Sequence, residues 1–180
     1  MSLWLCQFGE PMSAPESLKE IYLDEMKDLW SANDQMSKAI KTLSEHVEDK
    51  KLKQMLEGSL TGIREHVSTL KSLIEDADGE VKKEHCKGME GLVKEALKHG
   101  VEEAPEDDEL KAVAIIAQYQ RMCHYGLAGF GSAASYAKAL GMKDATAKLH
   151  DIVTSIYQAD EYSSQLSDRT AKLAAKHAQK

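Results

Sequence analysis

The chain has 180 residues and a net charge of -7, its 23 basic residues interspersed among 30 acidic ones. That length suits one domain with a real core, while the charge leaves no basic stripe for nucleic acid or an anionic membrane, and the longest apolar runs fall far short of a membrane span. Aromatics at 6% and only 3 prolines favour helix over sheet.

The opening MSLWLCQFGEPM, residues 1–12, has neither the basic start nor the sustained apolar run of a signal peptide and reads as an N-terminal tail. Residues 13–178 read as one helical bundle domain. Ser13 and Glu16 have capping-box spacing with Pro15 between them, and Leu18, Tyr22, Leu29, Met36, Ile40, Leu43 and Val47 then recur at helical intervals, predicting a first long helix over about 14–47. After the polar turn HVEDKK, the stripe Leu52, Leu56, Leu60, Ile63, Val67, Leu70 and Ile74 predicts a second helix ending before DADGE. Gly58 and Gly62 weaken it; close approach of a neighbouring helix is the expected compensation.

A short helix is expected over 86–100, CKGMEGLVKEALKHG, followed by an acidic break in which Asp107 or Asp108 caps the next element. The third long helix, about 108–140, places Leu110, Val113, Ala117, His124, Leu127, Ala134 and Leu140 near one face and stops at Gly141. A fourth starts near Asp144 and carries Leu149, Ile152, Ile156, Ala159, Leu166 and Leu173. Four amphipathic helices bury one another best, so the expected architecture is an all-α four-helix bundle with a short crossover helix between the second and third long ones.

Three scattered cysteines, Cys6, Cys86 and Cys123, describe neither a disulfide framework nor a thiolate zinc site and fit a reducing, cytoplasmic setting. Cys86 beside His85 reads as a half-buried thiol. A di-metal bundle needs inward Glu residues and Glu-x-x-His pairs, and no such pair occupies the middle of a long helix. Candidate ligands are Glu25, Asp28, His66, His124 and, after Asp160, Glu161; their spacing does not make them converge. His124 also reads as a core imidazole or the partner of an acid on the first helix. Gly126, Gly129 and Gly131 lack the strand and Lys-Ser/Thr of a phosphate loop and read as a packing or dimer surface. Tyr119, Tyr125, Phe130, Tyr136, Trp30 and Tyr157 read as core and interface residues, with an aromatic-lined pocket or a redox relay as the alternatives.

The blocks YLDEMKDLWSANDQMSKAI (22–40), REHVSTL (64–70), CKGMEGLVKEA (86–96) and HYGLAGFGSAASYAKALG (124–141) resemble those of the YciE/YciF branch of ferritin-like proteins. The resemblance implies a ferritin-like bundle with an extra short helix, often dimeric and associated with bacterial stress. It also implies an iron or manganese pair wherever the central carboxylates are intact. Here the corresponding positions are Asn33 on the first helix, Thr61 or Gly62 on the second, Cys123 and Gly126 on the third, and Ser155, Ile156 and Tyr157 on the fourth. The expectation is a metal-free structural or interaction module, a homodimer with room for a protein partner, without cofactor. Two alternatives stand beside it: an oxidoreductase holding iron or manganese at an altered site drawn from Glu25, Asp28, His66, His124 and Glu161, and a small-molecule pocket around Thr61, Cys123 and Gly126.

Overall fold

The computed structural model describes residues 14–177; the expected tail, with Cys6, and the Ser13 cap lie outside the described residues. Helix α1 spans Leu18–Glu45 and starts one turn later than the first Ser-x-x-Glu spacing suggests. Ser17 is its cap: the hydroxyl accepts from the Glu20 amide at 3.2 Å, and the Glu20 carboxylate accepts from the Glu16 amide at 2.6 Å. Two capping signals overlap four residues apart, and the second one satisfies the helix donors.

Helix α2 spans Lys50–Asp76. Asp49 accepts from the Leu52 amide at 2.9 Å and also binds the Arg169 guanidinium from the far end of the chain. Helix α3, Lys87–Leu97, is followed by one π-helical turn, Lys98–Glu102, where a side chain on Gly100 would run into Leu43. Helix α4 spans Asp108–Ala139 and is capped by Asp107, one of the two expected candidates. It stops at Gly141, whose φ of 74° favours a residue without a Cβ. Helix α5, Lys143–His177, completes the set.

Packing closes a four-sided bundle. Helix α1 lies against α2 and α4, α5 lies against α4 and more thinly against α2, and α3 covers α1 and α4 in the crossover. The α1–α4 contact is tight at Gly129, where an added Cβ would sit 2.6 Å from Leu29 Cδ2 and 2.9 Å from Glu25 Oε1. Gly58 and Gly62 behave otherwise: a Cβ at either would meet nothing within 4 Å, so no neighbouring helix approaches them closely.

The buried face of α4 also departs from expectation. Leu110 is 50% exposed and His124 faces solvent, whereas Ile115, Ile116, Tyr119, Met122, Phe130 and Ala137 are buried. Helix α4 is flanked by α1, α3 and α5, so it buries more than one stripe and its periodicity is a poor guide to its orientation. At the helix ends Leu18, Ile21 and Leu173 are substantially exposed.

Candidate functional site

A cavity of about 170 Å³ lies in the middle of the bundle, bordered by all four long helices and by Met89 of α3. Helix α1 contributes Leu29, Asn33 and Met36; α2 contributes Gly62, Ile63 and His66; α4 contributes Tyr119, Cys123, Gly126 and Phe130; α5 contributes Ser155, Ile156 and Ala159. Gly58 and Ser155 both line this space and reach solvent, so it opens between α2 and α5.

Six of the eight positions expected to replace central carboxylates line this cavity: Asn33, Gly62, Cys123, Gly126, Ser155 and Ile156. Thr61 and Tyr157 do not. Thr61 faces solvent and Tyr157 is 60% exposed; each sits one residue from an inward position, and a step of about 100° on a helix turns a side chain outward.

Several polar groups around the cavity are engaged with their neighbours. Asn33 donates its amide to the Leu29 carbonyl at 2.8 Å, and Ser59 donates to the Leu56 carbonyl at 2.7 Å. Ser155 donates to the Ile152 carbonyl at 2.8 Å. With that hydroxyl proton committed, the contact of 3.0 Å between His66 Nε2 and Ser155 Oγ assigns the proton to Nε2, because one oxygen must accept. The imidazole packs edge-on against Phe130, ring centres 5.6 Å apart. Burial lowers its pKa to about 4, leaving it neutral at ordinary pH. Cys123 is pushed up to about 12, chiefly by burial, and Tyr119 is raised for the same reason; neither ionises readily.

The candidate ligands are placed apart. His124 contacts Asp160 of α5, not an acid of α1, at 3.1 Å, and its side chain is 65% exposed, so it is not a core imidazole. Glu161 faces solvent. Glu25 is half-buried beside Gly129, its pKa raised by burial and by Asp28. Among the described residues, no three His, Cys, Asp or Glu side chains gather as a metal requires. Among the described residues, the donors bordering the cavity do not suit an iron or manganese pair: they include no carboxylate, and one imidazole, an amide, a protonated thiol and neutral hydroxyls cannot balance two divalent charges.

Asp28 has a different role. Its Oδ2 accepts from Tyr125 Oη at 2.9 Å and from Cys86 Sγ at 3.2 Å, while Sγ and Oη lie 3.0 Å apart. Cys86 is not half-buried but fully enclosed. Its sulfur caps α3 by accepting from the Met89 amide at 3.3 Å, and burial raises its pKa, keeping a proton for Asp28. Ser31 Oγ accepts from the Cys86 amide at 3.0 Å, and Gln35 donates to the Cys86 carbonyl at 3.0 Å. Neighbouring His85 turns away to Glu90 at 2.8 Å. The start of the crossover is thereby clasped to α1, and Tyr125 forms one cavity wall with its ring while its hydroxyl closes the clasp. Sequence periodicity gives no sign of this cluster, since its members come from three elements.

These features define a class: a bundle of four long helices with a crossover helix, enclosing a largely apolar central space. The chain belongs to the family described as a domain of unknown function, DUF892, whose model matches residues 17–176. Protein YciF of Escherichia coli is 27% identical over 137 residues, covering 76% of this chain and 81% of that protein. The crystal structure of the E. coli stress protein YciF superposes with a TM-score of 0.83 at 24% identity, over 88% of this chain and 99% of that one. YcfI of Rhodopseudomonas palustris gives 0.78 at 22% identity, over 87% and 97%. A Xanthomonas campestris protein gives 0.74 at 12% identity, over 91% and 100%. At these identities the solved structures establish the fold alone, and that fold is the expected one.

Proposed function

We propose that this protein is a metal-free helical module associated with stress, in line with the description of its E. coli relative as a stress protein, and that it works in the cytoplasm through its scaffold and not through di-metal redox chemistry. One observation carries the reading: the space at the bundle centre is bordered by Asn33, Gly62, Cys123, Gly126 and Ile156, with no carboxylate among the described residues. A cation pair there would sit in a low-dielectric setting without compensating charge, at a large desolvation cost. Apolar lining instead removes the repulsion and the burial cost of clustered acids.

The test is elemental analysis of protein purified from cells supplied with both iron and manganese. The expected result is far less than one transition-metal ion per chain, with helicity unchanged by a chelator. Two tightly retained ions per chain would overturn the reading.

A further inference from the structure

We propose that the central cavity is a binding site for one small, uncharged, ring-sized apolar molecule. The inference rests on the reading that no metal occupies the bundle centre, and it adds a ligand class that reading does not supply. Size is the first argument: about 170 Å³ compares with the engineered apolar cavity of ~150 Å³ that stays dry and takes up benzene.

Chemistry is the second. Among the described residues, no Asp, Glu, Lys or Arg borders the cavity, and His66 is neutral, so nothing there balances a charged guest. Ser155 gives its hydroxyl hydrogen and Asn33 one of its two amide hydrogens to backbone carbonyls, and most of the remaining wall is apolar, which favours an apolar occupant. Tyr119, Tyr125 and Phe130 provide aromatic walls against which a ring packs edge-on or offset.

The third argument is the placement of glycine. Gly58 and Gly62 each weaken α2, yet no helix comes close enough to require them. Both border the cavity on the side where it opens. Their small size is explained by the space they keep free and not by helix packing.

The experiment is thermal unfolding of the full chain with millimolar benzene, benzoate or benzylammonium, together with methyl NMR of Ile63 and Ile156. Benzene is expected to raise the Tm by about 2–4 °C and to shift both isoleucine signals, while the two charged analogues do neither. Gly62→Leu, which fills the opening, should abolish the response; Gly131→Leu, at a site outside the cavity, should retain it. No benzene response, an equal response to benzoate, or full retention in Gly62→Leu overturns the proposal. Should Gly62→Leu fail to fold, the methyl shifts of the unmodified protein decide. Metal content of the same sample is scored separately, so loss of the ligand proposal leaves the metal-free reading standing or falling on its own.

Discussion

At the scale of single residues, His66 links the interior to pH. Its imidazole remains neutral down to about pH 4 in the folded chain, whereas the unperturbed value is 6.5. Between those two values the unfolded state binds more protons, so stability falls as pH drops through the window and is fully present above pH 6.5. The size of this contribution is up to about 3 kcal/mol. His66→Gln keeps a donor for Ser155 and removes the titration. Urea unfolding between pH 7 and pH 4.5 should therefore show a flatter decline in the variant than in the parent protein, and parallel declines would contradict the assignment. The family resemblance pointed to part of this centre: Asn33, Cys123, Gly126 and Ile156, named from it, all line the cavity. Thr61 and Tyr157 did not, because a family pattern read from a single chain fixes the register only to within a residue, and one residue is enough to reverse a helical side chain.

At the scale of elements, the clasp between α1, α3 and α4 is the feature a linear reading could not find. Cys86 and Tyr125 are separated by 39 positions, and no local spacing announces their meeting. A close fit supports it, since an added Cβ on Gly88 would lie 2.7 Å from the Tyr125 ring. Tyr125→Phe leaves Asp28 with one donor fewer in a half-buried place, a loss on the order of 1–3 kcal/mol. Amide exchange should then accelerate first at Met89 and Glu90, the opening turn of α3. Unchanged protection there, with α1 and α2 destabilised instead, would show that the clasp does not hold the crossover. Helix ends were read more successfully at α4: of the two adjacent candidates Asp107 and Asp108 the first is the cap, and Gly141 ends the helix. The start of α1 shifted because Ser13–Glu16 and Ser17–Glu20 offer the same signal twice. The orientation of α4 was obscured by its three-sided burial.

At the scale of the whole molecule, the order of helices and the crossover followed from hydrophobic periodicity, because four long amphipathic faces have few ways to cover one another. Self-association is a proposal on a different footing. Much of the Gly/Ala-rich surface of α4 is consumed within the chain: Gly129 abuts Leu29, and Ala133, Ala134 and Ala137 are fully buried. What favours a homodimer is the outer surface of α5, where Tyr157 is 60% and Tyr162 47% exposed, large apolar bodies with polar tips of the kind enriched at interfaces. Sedimentation at micromolar concentration should give about twice the 19.9 kDa of the chain, reduced towards monomer by Tyr157→Glu. A monomeric mass throughout would remove the proposal.

The opening between α2 and α5 has a kinetic consequence. A guest crossing it passes the small edge left by Gly58 and Gly62 and meets the hydrogen bond of 3.0 Å by which His66 of α2 reaches Ser155 of α5. Exchange then requires that one hydrogen bond to part, a barrier of about 1 kcal/mol net, and a guest held behind it would come and go readily. Such a protein would report the ambient concentration of its ligand by equilibration and would be poorly suited to long-term storage.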